Sequence, residues 1–531
     1  MKGGFLGMAD SKKEQERAKL HSAIWKAATE LVHGGGVTPV QFKSYFIGML
    51  FYRFISENLA NYINAEQVKA GKVDFDYAKL SDDQAEFGRE VTVSTKGFFI
   101  LPSELFVNLK ARAHTDENLN ETLSGIFRNI EQSAKGSDSE DDLAGLFDDI
   151  DVNSKALGAN VSVRNKKLVQ LIDTIASLHV GDFQDNTIDM FGDAYEYLMG
   201  MYASNAGKSG GEFYTPQEVS ELLAEITTVG KTEVNKVYDP ACGSGSLLLK
   251  FAKVLGKENV RQGFYGQEIN IETYNLCRIN MFLHDINFEH FNIAHGDTLI
   301  DPRHWDDEPF DAIVSNPPYS IPWPGDGDPL LINDPRYSPA GVLAPKSKAD
   351  FAFTMHMLHW LSPTGSCAIV EFPGVLYRGG SEQKIRKYLI DNNYVDAVIQ
   401  LPQDLFFGVT IATCILVLKK NKTDSNTLFI DASAEFVRKG NKNKLSDANR
   451  AKILDTYTTR QPSAHFAHLA SYDEIVKNDY NLSVSTYVEA EDTREVVDIT
   501  KLNADISQIV AKQAELRTAI DKIVADIEGK R

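Results

Sequence analysis

From about Gly181 onward the chain alternates short apolar runs with longer amphipathic stretches, and that alternation admits very few architectures. The runs at 236–238, 264–267, 292–294, 311–315, 367–372, 395–400 and 412–418 are predicted strands. Segments 246–255, 271–283, 350–361 and 381–390 are predicted helices in several of the gaps. Strands alternating with helices pair in parallel, because each helix crosses one face of the sheet. The expected fold is therefore a doubly wound α/β sheet. A Pro-, Gly- and Asp-rich insertion at 320–349 has no periodicity, and an insertion of this kind is usually functional or disordered.

The flanks follow other rules. Residues 1–175 read as a helical domain, with a strongly apolar helix over 41–59 and an acidic turn at Ser137–Asp142. Residues 176–490 hold the α/β region, and 491–531 form a helical tail. In the tail, Ile499, Leu502, Ile506, Ile509, Gln513, Leu516, Ile520, Ile523 and Ile527 recur at alternating spacings of three and four. That period suits either a coiled-coil partner or an amphipathic helix packed on its own domain.

Formal charge is −19, from 55 Lys+Arg against 74 Asp+Glu. Proteins that grip DNA unaided usually carry a basic surplus, so a role on nucleic acid calls for a local basic face or a partner. Four cysteines (Cys242, Cys277, Cys367, Cys414) lack paired spacing, which predicts free thiols, no zinc site and a reducing cytoplasm. Apolar runs fall well short of the roughly 20 residues of a membrane span, and no secretory h-region is expected in Met1–Arg17.

Asp239-Pro-Ala-Cys-Gly243-Ser244-Gly245-Ser246 stands where a strand gives way to a helix. Glycines there let the backbone approach a ligand closely, and ligands of open α/β sheets bind at the carboxyl ends of strands. Glu268 closes the next predicted strand and can accept both hydroxyls of a ribose. Asp297 follows the third and can accept from an adenine amine. Together these features predict an adenosine-type ligand. Gly207-Lys208-Ser209 has Tyr202, not glycine, five positions before Gly207, so no P-loop is assigned.

Asn316-Pro317-Pro318-Tyr319 closes the fourth strand. The Asn316 side-chain oxygen and the Pro317 carbonyl could accept both N–H bonds of an exocyclic amine. This discourages delocalisation of the nitrogen lone pair and points it at an electrophile. Tyr319 offers a face for stacking a flipped base.

Taken with Gly211-Glu212-Phe213-Tyr214-Thr215-Pro216-Gln217, these motifs resemble the S-adenosylmethionine-dependent N6-adenine DNA methyltransferases in their gamma arrangement. The whole chain is similar to the modification (M) subunits of type I restriction–modification systems. That likeness runs through Asp142-Leu-Ala-Gly-Leu-Phe-Asp-Asp-Ile-Asp, Phe191-Gly-Asp-Ala-Tyr-Glu-Tyr-Leu and Tyr480-Asn-Leu-Ser-Val-Ser-Thr-Tyr-Val. It implies that Glu212, Phe213, Tyr214, Thr215, Pro216 and Gln217 line the methionine end of the cofactor, with Asp239, Gly243, Ser244, Gly245 and Ser246 at the Gly-rich turn. Glu268 would hold the ribose and Asp297 the adenine amine. Asn316, Pro317, Pro318 and Tyr319 would hold the target adenine, and Phe407, within Phe406-Phe407-Gly408-Val409, would pack against it. The reaction implied is direct methyl transfer to adenine N6, without metal or covalent enzyme intermediate.

The implied partners are double-stranded DNA, a specificity (S) subunit that reads the sequence, a second M copy and a restriction (R) subunit, with no membrane. Two other classes remain open on the residues alone. One is methylation of a protein glutamine or an RNA adenine; the other is a non-catalytic cofactor-binding scaffold.

Overall fold

Side chains alternate between the faces of a strand, and here both faces are apolar. Val237, Ala312, Val314, Ala368, Val370, Ala397 and Ile399 join one buried cluster. Tyr238, Ile313, Cys367, Ile369 and Val398 join another. A strand buried on both sides reads as a continuous apolar run and needs a helical layer above and below.

The computed structural model describes residues 18–26, 29, 39–178, 190–205, 215–406, 409–440, 442–489 and 499–529. The described strands are β1 Val234–Asp239, β2 Val260–Glu268, β3 Phe291–His295, β4 Phe310–Ser315, β5 Leu361–Glu371, β6 Val395–Gln400, β7 Cys414–Lys419, β8 Thr427–Asp431, β9 Val437–Lys439, β10 Lys442–Lys444 and β11 Ala467–Ala470. Nine of them form one sheet in the order β11-β8-β6-β7-β5-β4-β1-β2-β3. Each predicted strand is present. β8 to β11 were not predicted: each spans only three to five residues, too short for a clear period, and β9 and β10 are also largely polar.

The sheet is mixed. β7 runs antiparallel to β5 and β6, and β11 antiparallel to β8; the remaining pairs in this sheet are parallel. β7 follows β6 without an intervening helix, and a strand returning beside its predecessor without a crossover must reverse. The chain leaves β1 towards β2 and β3, then returns to β4 on the other side of β1. The crevice at the carboxyl ends of β1 and β4 is therefore a topological switch point, where such sheets bind ligands.

The helices used below are α1 Pro39–Lys69, α2 Gln217–Thr227, α3 Ser246–Leu255, α4 Ile271–Leu283, α5 Asp350–Trp360, α6 Ser381–Asp391, α7 Asp447–Thr459 and α8 Ile499–Glu528. Apolar residues cover most of α1, with Phe42, Phe46, Leu50, Phe51 and Phe54 all buried. Its Phe51 ring lies 5.9 Å from Phe282 of α4, so the amino-terminal helices share a core with one face of the sheet. Residues 1–488 make one unit and 489–531, which contains α8, a second. Within α8, Ile499, Leu502, Ile506, Ile509, Leu516, Ile520, Ile523 and Ile527 are all exposed.

Arg278 of α4 joins the amino-terminal helices to the sheet layer. It is 1% exposed, and its Nη1 donates to the carbonyls of Asp141, Asp142 and Ala144 at 2.7, 3.2 and 2.9 Å. Its guanidinium also lies 4.1 Å from the centre of the Tyr274 ring. Burial pushes the Asp142 carboxyl up to about 7, even with Arg278 nearby to favour its charge. Arg278→Met would take the shared donor from three part-buried carbonyls and the cation from the Tyr274 ring. It is expected to lower unfolding stability by about 3 kcal/mol, read as a shift in denaturation midpoint.

Candidate active site

Asp239 is wholly buried at the end of β1, and its Oδ1 accepts from the Ala241 N–H (3.0 Å) and from Ser315 Oγ (2.7 Å). One oxygen thus fixes the turn after β1 and ties it to the end of β4, next to Asn316. Burial, with the nearby Glu268 charge, raises this carboxyl to about 7.

The turn that follows needs glycine. Gly243 and Gly245 have φ of 54° and 78°. A Cβ on Gly245 would also stand 2.7 Å from Cys277 Sγ. Asn280 of α4 donates to the Ser244 carbonyl at 2.8 Å, and the buried Ser244 hydroxyl has no hydrogen-bond partner. α3 begins at Ser246.

Glu268, at the end of β2, accepts from the Gly243 N–H through Oε2 (3.0 Å) and from the Asn270 N–H through Oε1 (2.9 Å). Burial pushes it above the ordinary carboxylate range, and these backbone donors oppose the shift. A carboxylate on the Gly243 N–H stands where a phosphate oxygen would stand in a phosphate-binding turn. The edge therefore disfavours phosphate and suits a ligand offering hydroxyls, an amine or positive charge. Asp297, after β3, accepts from the Leu299 N–H at 3.0 Å. The Gly296 N–H binds the Glu268 carbonyl at 3.0 Å, joining the two strand ends.

Gly243, Glu268, Asp297, Asn316 and Pro318 line one cavity of about 300 Å³, together with Ile269, Thr298, Trp323 and Phe353 among others. Asp239, Ser244, Gly245, Ser246, Thr215, Pro216, Gln217, Pro317 and Tyr319 are not among its lining residues. Thr215 and Pro216 stand immediately before α2, which Gln217 begins. Glu212, Phe213, Tyr214 and Phe407 lie outside the described residues. A larger cleft of about 550 Å³ opens beside the start of β2, and none of the predicted residues lines it. Among the described residues no cluster suits a metal ion, and all four cysteines are buried and free.

Asn316 is oriented from both ends of its carboxamide. Nδ2 donates to Thr215 Oγ1 at 3.0 Å, and Oδ1 accepts from the Tyr319 hydroxyl at 2.5 Å. The Thr215 contact reaches across from the neighbouring predicted motif, and the Tyr319 contact closes the tetrapeptide on itself. Oδ1 keeps a second lone pair for a substrate N–H. Burial and the Glu371 carboxyl keep the Tyr319 hydroxyl well above its usual pKa, so it stays a neutral donor.

Sequence reasoning missed three residues that position this site. Asp350, the first residue of α5, accepts the Ser320 N–H through Oδ1 at 3.0 Å. Glu371, at the end of β5, accepts from Thr354 Oγ1 at 2.7 Å. The second oxygen of each acid is buried without a partner. Arg336 in the insertion is 1% exposed and donates to the Thr298 and Leu299 carbonyls at 2.7 and 2.8 Å. Its position beside Asp334 was visible in the sequence, but nothing local marks a buried arginine. The insertion is also tied at its base: Ala349 N–H binds the Ile321 carbonyl and Trp323 N–H the Lys346 carbonyl, at 2.9 and 3.0 Å. It is an ordered loop closing one wall of the cavity.

Burial and Asp350 raise Glu371 well above its usual 4.5. The folded chain thus keeps a proton that the unfolded chain releases above about pH 4.5, so this contribution to stability falls as pH rises through the folded pKa. Glu371→Gln carries no such proton. It is expected to melt with the parent near pH 5 and above it near pH 8, as thermal unfolding across that range would show.

A family model described as N-6 DNA Methylase matches residues 186–496, and one described as HsdM N-terminal domain matches 20–175. The chain is 47% identical to the type I restriction enzyme MpnII methylase subunit of Mycoplasma pneumoniae, over 98% of both chains. It is 31% identical to the MjaVII methylase subunit of Methanocaldococcus jannaschii, over 77% of this chain and 70% of that one. Among solved structures it resembles a type I restriction-modification methyltransferase subunit from Streptococcus thermophilus. The TM-score is 0.78 and the identity 37%, covering 89% of this chain and all of that one.

Proposed function

The chain belongs to the N-6 DNA methylase family, among the methylase subunits of type I restriction enzymes, and from that premise we propose that the cavity between Gly243 and Asn316 is where a flipped adenine meets S-adenosylmethionine. It is an adenine-specific DNA methyltransferase, and sequence recognition falls to a separate specificity subunit. A second copy of this chain and a restriction subunit complete the assembly. No described helix is long and apolar enough to cross a membrane.

The observation that carries the reading is the convergence of Glu268, Asp297 and Asn316, from the ends of three strands, on one cavity. The residues suit the cofactor: two carboxylates face the cavity, and the Gly243 N–H is already taken by Glu268. Bound S-adenosylmethionine supplies an electrophilic sulfonium methyl. Glu268 holds the ribose hydroxyls and Asp297 the adenine amine. The Gly-rich turn would bring backbone close to the ligand, and Thr215 to Gln217 would hold its methionine end.

Asn316 Oδ1 and the Pro317 carbonyl accept the two N–H bonds of the target amine. Holding both keeps the N6 lone pair out of the ring and aims it at the methyl group. As N6 becomes positive, the same two oxygens stabilise the charge without having to reorient. Tyr319 and Phe407 provide stacking surface for the base, and Tyr319 also fixes the rotamer of Asn316. Protein glutamine and RNA adenine give way as substrates to DNA adenine, and a scaffold would have no use for the tetrapeptide.

In this reading residues 1–175 form a helical domain, 176–490 the methyltransferase domain and 491–531 the subunit-contact helix. The exposed apolar stripe of α8 is the candidate contact with the specificity subunit.

The test is methyl transfer from labelled S-adenosylmethionine to DNA, by this chain alone and with its specificity subunit, followed by nucleoside analysis. N6-methyladenine should require both chains. Asn316→Ala should abolish transfer while cofactor affinity stays within about twofold, since Asn316 acts on the amine. Transfer surviving within about tenfold would remove Asn316 from its role. Deleting residues 498–531 should abolish co-purification with the specificity subunit and spare cofactor binding; unchanged co-purification would refute the helix assignment.

A further inference from the structure

A net charge of −19 makes the local charge of the β9–β10 ribbon stand out. Between Val437 and Lys444 the chain holds Arg438, Lys439, Lys442 and Lys444 and no acid. The two strands pair antiparallel, with Lys442 opposite Lys439, Asn443 opposite Arg438 and Lys444 opposite Val437. Like charges directly opposite one another weaken a ribbon, so Lys439 and Lys442 work against its folding in the absence of an anion.

Its cations are largely unneutralised. All three residues of β9 are exposed, as is Lys444. Arg438 is half exposed and meets Asp404 only at 3.6 Å. Lys439 and Lys444 make no ion pair among the described residues, although Glu218 and Asp447 act on Lys444 through space. Lys442 is different: its Nζ donates to the Phe406 carbonyl at 2.8 Å.

That last contact places the ribbon. Asn443 adds two more bonds to the same loop, its N–H to the Asp404 carbonyl (3.2 Å) and its Nδ2 to the Gln403 carbonyl (2.8 Å). The ribbon is thus fastened to the segment leading into Phe406 and Phe407. This segment leaves the carboxyl end of β6, which points the same way as β4 and lies three strands from it. At about 4.8 Å per strand, the β6 and β4 ends are about 14 Å apart along one edge, within reach of neighbouring phosphates of one duplex.

We propose that the β9–β10 ribbon grips the DNA sugar-phosphate backbone beside the flipped adenine, with Arg438, Lys439 and Lys444 as its phosphate contacts. The inference rests on the adenine methyltransferase reading and adds to it the face by which an acidic subunit approaches DNA. Lys442 and Asn443 position the ribbon on the Phe406 loop and are not themselves needed as contacts. Because the cations meet phosphates and not base edges, the ribbon contributes affinity without sequence preference.

The test uses the complex with the specificity subunit, comparing the parent with K439A/K444A and K439R/K444R. Affinity is measured for a duplex bearing the recognition sequence and for an unrelated duplex, at several salt concentrations. Each lost phosphate contact flattens log affinity against log salt by about 0.9, so the alanine pair should flatten it by about 1.8. Between about 50 and 200 mM salt the parent should then lose roughly tenfold more affinity than the alanine variant, on both duplexes alike. KM for DNA should rise while cofactor affinity stays at the parent value, reporting an intact fold, and the arginine pair should restore the slope.

An unchanged slope and KM in the alanine variant, with a parent that methylates DNA, would overturn the ribbon assignment alone. So would a loss confined to the recognition sequence, or a loss of complex assembly in place of DNA affinity. A parent complex that neither binds nor methylates DNA would overturn the methyltransferase reading, and the ribbon with it.

Discussion

A buried carboxylate holds the working edge of the sheet together. Asp239 accepts at once from the turn after β1 and from Ser315 at the end of β4, so the Gly-rich turn and Asn316 are referenced to one oxygen atom. Desolvation makes an acid there costly, as its raised pKa of about 7 records. Satisfied donors offset that cost, because a turn whose N–H groups point into a cavity needs acceptors. Glu268 repeats the arrangement one strand further on, with one oxygen on Gly243 and the other on Asn270. Carboxylates that build the turn also occupy its anion-binding groups, which turns the edge from phosphate towards hydroxyl, amine and sulfonium ligands.

The second half of the site is rigid for a different reason. Thr215 and Tyr319 clamp the Asn316 carboxamide from opposite ends, so the acceptor oxygen is aimed before any substrate arrives. Behind it, Asp350 holds the backbone immediately after Tyr319, and Glu371 supports α5 through Thr354. Arg336 pins the proline-rich insertion to the loop after β3. Orientation of this kind lets a displacement reaction proceed without a nucleophilic side chain or a metal ion, because the protein's contribution is alignment and fixed dipoles.

Charge distribution separates the two tasks of such a subunit. Two acids, Glu268 and Asp297, line the cavity, while four basic residues with no acid among them stand on a short ribbon anchored to the Phe406 loop. An acidic subunit with a small basic face has limited affinity for DNA by itself. That balance suits a division in which a specificity subunit delivers the duplex, and the exposed apolar stripe of α8 is the contact proposed for it.

The alternation of strands and helices, the strand-end acids and the tetrapeptide were legible because each rests on local chemistry: apolar period, glycine at a strand–helix junction, a carboxylate closing a strand. Helices at 246–255 and 271–283 were read to the residue from their apolar period, and the structure adds Asn270 as N-cap of one and Gly256 as terminator of the other. Tertiary structure alone decided that Thr215, more than a hundred positions away, would meet Asn316, and that Arg278 would fasten the amino-terminal helices to the sheet. It also decided that β7 would reverse, that Asp239 would face inward while Glu268 and Asp297 line the cavity, and that a polar ribbon would settle beside Phe406. Such long-range pairings leave no local signal, because any donor and acceptor of the right type could meet; only chain topology selects which ones do.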